Sequence, residues 1–128
     1  MKYKDFVIDR LRNHSAHKAA VENLRERLEQ LAALHGASPG ERLDQFVCEK
    51  EFRALLQSKQ SEVEAVEKAL GALTGQERQV LERMYLQKEP LAVQVLMIEL
   101  GYEKSNIYSL KEKALQHFAR VFYGIYPS

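Results

Sequence analysis

A polar stretch toward the C-terminal end of the chain carries the side chains best suited to contact a nucleic acid. Residues 100–115 read LGYEKSNIYSLKEKAL. Lysine and serine side chains donate hydrogen bonds to phosphate oxygens, and an asparagine can make two hydrogen bonds to adenine. A glutamate can accept a hydrogen bond from the amino group of cytosine. The candidate DNA-contacting residues are Glu103, Lys104, Ser105, Asn106, Tyr108, Ser109 and Lys111.

The same stretch has the apolar spacing of an amphipathic helix, which would hold those polar side chains on one outer face. We predict this helix from about Lys104 to about Tyr123, with Gly124 just after its end. A shorter helix from Pro90 precedes it and ends at Gly101, because glycine takes the left-handed conformation easily. The apolar residues that would lock the longer helix in place are Ile107, Leu110, Ala114, Leu115 and Phe118.

The helix that precedes these two begins with a capping signal. Thr74 is followed three residues later by Glu77, which is the spacing of a capping box. Val80 and Leu81 begin the apolar stripe of this helix, which Glu89–Pro90 should stop. A short helix, a glycine turn and a longer helix then follow one another, which is the plan of a helix-turn-helix domain.

The N-terminal part of the chain predicts two long helices, over about residues 4–34 and 43–73. The chain between them should be broken by Gly36, Pro39 and Gly40. Two helices of this length joined by a short loop should fold back as an antiparallel hairpin.

Both long helices carry apolar residues three or four positions apart, with Lys59 at one such position. This is coiled-coil spacing, and it fits an internal core and a dimer interface equally well. The spaced residues are Val21, Leu24, Leu28, Leu31, Leu56, Val63, Val66, Leu70 and Leu73.

Composition agrees with an all-α chain, since 128 residues include only six glycines and three prolines. The predicted architecture is a long antiparallel helical hairpin, residues 1–73, followed by a three-helix helix-turn-helix domain, residues 74–128. Net charge is +1, so a nucleic acid would be attracted by local charge rather than by the whole molecule. Over residues 103–123, four basic side chains oppose two acidic ones, a local balance of +2.

Other classes of function find little support in the sequence. The first residues lack the apolar core of a signal peptide, and no apolar run is long enough to span a membrane. His14 and His17 have no further ligands near them and are expected to be exposed helix residues. Cys48 is expected to be a half-buried apolar residue, and no catalytic or cofactor motif is present, so we predict neither an enzyme nor a cofactor. The aromatic residues expected to pack the end of the chain are Phe122, Tyr123 and Tyr126.

A family resemblance strengthens the DNA-binding interpretation. The stretches ALGALTGQERQVLERMYL and LMIELGYEKSNIYSLKEKALQHFARVFYG resemble region 4 of bacterial sigma-70 factors. They are more similar to the phage and prophage late-transcription regulators of the ArpU/RinA type, which also carry an N-terminal helical hairpin. The resemblance implies sequence-specific binding of double-stranded DNA in transcriptional control, with the candidate DNA-contacting residues at the start of the recognition helix.

Three features depart from that pattern. Glu103 stands where a serine or threonine cap is usual, and Met97 stands where a small residue is usual. The helix VQVLMIEL is apolar nearly all round, which predicts burial on more than one side, against the hairpin or another subunit.

The near-neutral charge predicts weak non-specific DNA affinity, so we expect a homodimer or contact with RNA polymerase, in the cytoplasm of a bacterium or phage-infected host. Two alternatives remain open at this point. One is a small terminase-like phage packaging protein, and the other is a helical protein–protein interaction module without DNA binding.

Overall fold

A computed structural model describes residues 2–34 and 38–125, and every regular element within them is helical. The chain divides into two compact units. One consists of the described residues of Met1–Ser15 and Ala65–Ser128, and the other is Ala16–Glu64. Within the described ranges no helix is long and apolar enough to cross a membrane.

Six α-helices follow one another along the described ranges, and the fourth continues directly into one turn of π-helix, Glu82–Leu86. The α-helices are α1 Tyr3–Arg12, α2 His14–Ala33, α3 Pro39–Gly71, α4 Gly75–Leu81, α5 Ala92–Leu100 and α6 Lys104–Phe122.

The helix predicted over residues 4–34 is two helices, because the chain is interrupted at Asn13. The Asn13 side-chain amide donates a hydrogen bond of 3.1 Å to the carboxylate of Asp9, one turn earlier. The Asn13 backbone has φ −90° and ψ −1°, and its N–H still donates to the Asp9 oxygen (3.1 Å), so the break is confined to this residue. Asparagine has a low helix propensity, but the apolar pattern alone gives no signal for the break.

The start of α3 also differs from the prediction. Pro39 and Gly40 are helical residues rather than a break, while Gly36 lies outside the described residues. The Ser38 hydroxyl accepts a hydrogen bond of 3.2 Å from the Glu41 backbone N–H. Ser38 thus caps the helix, and proline is well suited to the first helical position, where its missing N–H is not needed.

In the unit Ala16–Glu64, α2 contacts α3 at several positions along the two helices. The Lys59 ammonium lies 3.3 Å from Nδ1 of His17, and the Gln45 side-chain amide donates to the backbone oxygen of Leu31. Lys59, toward the end of α3, therefore contacts the start of α2, and Gln45, near the start of α3, contacts the end of α2. Val21 is only 7% exposed, so the apolar spacing of α2 does mark a buried face.

The other unit has two apolar clusters. The larger joins α1, the end of α3, α4 with its π-turn, and α6, and Phe118 is its largest fully buried side chain. The smaller is formed by Val80, Leu96 and Ile107, which come from α4, α5 and α6. Met97 packs against this smaller cluster, so the helix pair accommodates the large side chain there.

The predicted capping box at the start of α4 is present. The Thr74 N–H donates to the Glu77 carboxylate (3.0 Å), and the Glu77 N–H donates to the Thr74 hydroxyl (3.2 Å). Nδ1 of His117, on α6, lies 3.0 Å from the same carboxylate oxygen. Burial acts to raise the pKa of Glu77, but the hydrogen bonds from Thr74 and His117 outweigh it, and the pKa lies below its ordinary value.

We expect Glu77→Ala to lower the free energy of unfolding by about 1–2 kcal/mol at pH 7, because it removes half of the box and the partner of His117. The part of this loss in unfolding free energy that depends on the charge of Glu77 is fully present above pH 4.5, the ordinary pKa of a glutamate. It disappears as the pH falls through the lower pKa of the folded protein. Urea titrations at several pH values test this. Glu82→Ala, in an exposed pair with Arg78, is the control, and an equal loss in both variants would contradict the prediction.

Two glycines end helices as predicted. Gly101 (φ +68°) closes α5, and Gly124 (φ +69°) follows α6. After α6, the Ile125 N–H donates to the Arg120 oxygen (2.7 Å), which is the outer hydrogen bond of a Schellman motif. Leu91 is also left-handed, with φ +59°, so α5 begins at Ala92 and not at Pro90.

Candidate nucleic-acid interface

Helix α6 is anchored by one continuous apolar face. Ile107, Ala114 and Phe118 are fully buried, and Leu115 is 1% exposed. Leu110 is half-buried and packs against the smaller apolar cluster. Positions 107, 114 and 118 are separated by seven and four residues, so they lie on one side of the helix. The opposite side of α6 is consequently fixed in its orientation toward solvent.

The candidate DNA-contacting residues lie at the N-cap and in the first turns of α6, around its buried positions. Glu103, Lys104, Ser105, Asn106, Tyr108 and Ser109 are exposed. Lys111 is half-buried, with 20% of its side chain exposed. The structure thus brings all seven to the N-terminal end of one helix.

Tyr108 lies between the two lysines of this face. The Lys104 ammonium is 6.0 Å from the centroid of the Tyr108 ring, and that of Lys111 is 5.3 Å away. Ammonium groups at this distance are attracted to the ring face. The aromatic ring therefore keeps both positive charges on the same side of α6.

One carboxylate competes for the second lysine. The Lys111 ammonium is 3.5 Å from Glu112, which also pairs with Lys4 of α1. The hydrogen bond from Lys4 lowers the pKa of Glu112, so this carboxylate stays charged near neutral pH. In the described parts of the chain, no carboxylate lies within ion-pair distance of Lys104. Lys104 is therefore the cation of this face most available to a phosphate.

The N-terminus of α6 has no side-chain cap. Glu103 occupies the N-cap position in an extended conformation, and its carboxylate makes no capping hydrogen bond. The first backbone hydrogen bond of the helix runs from the Asn106 N–H to the Glu103 oxygen (3.0 Å). The N–H groups at the start of a helix attract anions, so the departure at Glu103 leaves these donors available.

We expect Glu103→Ser to raise the free energy of unfolding by about 0.5–1 kcal/mol, since a serine hydroxyl can accept from the first-turn N–H groups. Glu103→Gln removes the charge without adding a good cap and serves as the control. Urea denaturation of both variants checks the prediction. Equal stability of Glu103→Ser and Glu103→Gln would show that capping is not what limits this end of α6.

Helix α5 and the turn before α6 are held by polar contacts that sequence spacing did not reveal. One guanidinium nitrogen of Arg83 donates to Glu99 (2.6 Å) and another to Glu89 (3.3 Å). The Tyr102 hydroxyl donates to the side-chain oxygen of Gln76 (3.0 Å). These pairs connect the π-turn and α4 to α5 and to the turn that precedes α6.

Residues considered for other chemistry lie elsewhere. His14 is buried rather than exposed as predicted, and its Nε2 lies 3.1 Å from Glu67. His17 is half-buried, and Cys48 is exposed rather than half-buried. No group of three His, Cys, Asp or Glu residues in the described ranges could hold a metal ion.

Aromatic residues pack around the end of α6. The rings of Phe118 and Phe122 stack at 5.5 Å, and Tyr123 meets Phe122 edge-on at 5.1 Å. Tyr126, which was expected to join them, lies outside the described residues.

No protein-family model, curated protein or solved structure matches the chain.

Proposed function

We propose that this protein is a sequence-specific, double-stranded DNA-binding transcriptional regulator of phage, prophage or bacterial genes. The observation that carries the proposal is the division of α6 into two sides. Ile107 and Phe118 are fully buried on one side, and Ser105 and Ser109 are exposed on the opposite side. The other candidate DNA-contacting residues lie between these two sides, and all of them except Lys111 are exposed. A helix with one side fixed and a polar side exposed is what a major groove about 12 Å wide can accept.

In this proposal α4, α5 and α6 form a sigma-region-4-like helix-turn-helix domain within residues 74–128. The N-terminal residues 1–73 form a helical hairpin that supports oligomerisation. We expect the protein to act in the cytoplasm of a bacterium or infected cell, as a homodimer or together with RNA polymerase.

The side chains of the exposed face divide into phosphate contacts and base contacts. Lys104 and Ser105, in the first turn, would donate to phosphates and fix the position of α6 on the duplex. Asn106 would make two hydrogen bonds to an adenine, and Glu103 would accept from a cytosine amino group. Affinity would then fall with salt, whereas sequence preference would depend on Asn106 and Glu103.

Selection of a random 25-base-pair duplex library by the full-length chain tests the proposal. The selected duplex is then measured by fluorescence anisotropy between 50 and 300 mM salt. We expect an enriched sequence and a fall in affinity with salt, corresponding to about two to four neutralised phosphates. Absence of enrichment together with salt-insensitive binding would contradict the proposal.

A second candidate, a protein-interaction module without DNA binding, is favoured by one observation. On α5, Ile98 is 85% exposed, and Leu91 before it is 71% exposed. An exposed apolar pair of this kind marks a protein-binding surface more often than a nucleic-acid surface. The duplex selection separates the two candidates, because an interaction module would enrich no sequence.

A further inference from the structure

Helix α6 contains a single acidic side chain, and a lysine of α1 pairs with it. The sequence of α6, KSNIYSLKEKALQHFARVF, has Glu112 as its one carboxylate. The Lys4 ammonium forms an ion pair with Oε2 of Glu112, and the Lys111 ammonium lies 3.5 Å from Oε1. The two oxygens of one carboxylate therefore serve two lysines, one from each helix.

The packing of α1 on α6 brings this ion pair together. Val7 and Leu11 of α1 are fully buried in the larger apolar cluster, which also holds Leu115 of α6. Lys4 precedes Val7 by three residues, and Glu112 precedes Leu115 by three, so each charged residue lies beside a buried position of its own helix. The side chains of Lys4 and Glu112 are 39% and 37% exposed, so either can be replaced without disturbing the core.

Of the two lysines, Lys4 is the stronger partner of Glu112. The hydrogen bond from Lys4 is the main cause that lowers the pKa of Glu112, and the contact with Lys111 lowers it less. The same hydrogen bond raises the pKa of Lys4. Burial raises the pKa of the neighbouring Tyr85, which therefore stays neutral near pH 7 and competes for neither lysine. The charge of Glu112 thus acts mainly on Lys4.

Lys111 is shared between this carboxylate and an aromatic ring. Its ammonium lies 5.3 Å from the centroid of the Tyr108 ring, on the side of α6 that also holds the Lys104 ammonium. Without Lys4, Lys111 would be the one remaining ion-pair partner of Glu112 among the described residues. A lysine held by a carboxylate must give up that contact before it can bind a phosphate, which weakens its net attraction to DNA.

We propose that Lys4 regulates DNA affinity by holding Glu112, which leaves the Lys111 ammonium available to a phosphate of the duplex. This inference rests on the proposed DNA binding and gives α1 a part in it, although α1 carries none of the candidate DNA-contacting residues. Exposed ion pairs are individually weak, so the expected effect on affinity is about two- to fivefold.

A double-mutant cycle tests the regulation, by fluorescence anisotropy of the full-length chain with its selected duplex at 100 mM salt. Lys4→Met keeps most of the aliphatic stem and should weaken binding about two- to fivefold, because Glu112 then holds Lys111. Glu112→Gln releases both lysines and should bind at least as tightly as the unaltered chain. In the Glu112→Gln background, Lys4→Met should cause no specific loss, since no carboxylate is left to capture Lys111.

The matched control is Lys2→Met, which removes the same charge from an exposed residue at the same end of α1. Its effect on affinity should be small and equal in both backgrounds, as expected for charge attraction alone. If Lys4→Met caused the same loss with Glu112 and with Gln at this position, Lys4 would act on the duplex directly, and the proposal would be overturned.

An NMR titration of the Glu112 carboxyl carbon, without DNA, tests the ion pair separately. We expect Lys4→Met to raise the pKa of Glu112 toward its ordinary value of 4.5, and by more than Lys111→Met does. An unchanged pKa would show that the pair does not form in solution and would overturn the proposal, whatever the DNA results. A raised pKa in a chain that binds no duplex would contradict the proposed function, and the regulation with it, while the ion pair would stand.

Discussion

Phe118→Ala is expected to lower the free energy of unfolding by about 3–5 kcal/mol, the largest effect of any single substitution on α6. Phe118 is fully buried in the larger apolar cluster, and its ring stacks on Phe122 at 5.5 Å. That cluster also holds Leu11 of α1, Leu70 of α3 and Leu81 of α4. Truncation leaves a cavity where four helices meet, and the surrounding side chains cannot fill it without moving the helices.

Ser109→Ala is the control for this substitution, since Ser109 is exposed on the same helix. We expect its effect to lie within about 0.5 kcal/mol of zero. Urea denaturation followed by circular dichroism gives both values. Similar stabilities of the two variants would show that α6 is not held by its apolar face. The burial of that face would then not explain why the polar residues of α6 are directed toward solvent.

Asn106→Ala is expected to weaken binding to a selected duplex by about 5–150-fold, which corresponds to about 1–3 kcal/mol for one bidentate base contact. Binding to an unrelated duplex should barely change, because phosphate contacts are independent of sequence. Lys104→Ala should weaken binding to both duplexes and reduce the slope of log affinity against log salt by about 0.9. The two substitutions therefore separate sequence recognition from charge attraction.

Lys113→Ala is the control, since Lys113 is exposed on α6 but lies nine residues beyond Lys104, about 13 Å along the helix axis. Its effect on affinity should stay below about twofold at 150 mM salt, where exposed charges are largely screened beyond about 8 Å. Fluorescence anisotropy of the four proteins with both duplexes provides the comparison. Equal losses for Lys104→Ala and Lys113→Ala would indicate general charge attraction rather than a defined site.

Local signals allowed much of the residue 74–125 region to be predicted from the sequence. The capping box depends on two side chains three residues apart, and the left-handed ends at Gly101 and Gly124 depend on single glycines. Helix α6 ends within one residue of its predicted end. Each of these features is determined within one or two turns of chain, so the sequence pattern contains the necessary information.

Other features depend on interactions that the apolar pattern does not record. The interruption at Asn13 has no signal in the apolar pattern, and the early start of α3 comes from the Ser38 cap, which S-P-x-E spacing could have indicated. The π-turn, in which the Gln87 N–H donates to the Glu82 oxygen at 2.7 Å, had no local signal. Arg83 lies 16 residues from its partner Glu99, so only the folded chain brings them together.

The all-round apolar pattern of α5 predicted burial on more than one side, and the single chain does not provide it. Only Leu96 of this helix is fully buried in the structure, whereas Ile98 is 85% exposed. The hydropathy of α5 identified apolar side chains that are unfavourable in water, but it could not show which of them the fold leaves exposed.

The most direct test of the central claim is amide chemical-shift mapping of the full-length chain during titration with its selected duplex. If the exposed face of α6 enters the groove, the largest shift changes will fall on residues 103–111. The buried face at Ala114 and Phe118 should change little. Changes confined to other helices, with residues 103–111 unaffected, would contradict the account and remove the basis for a DNA-binding α6.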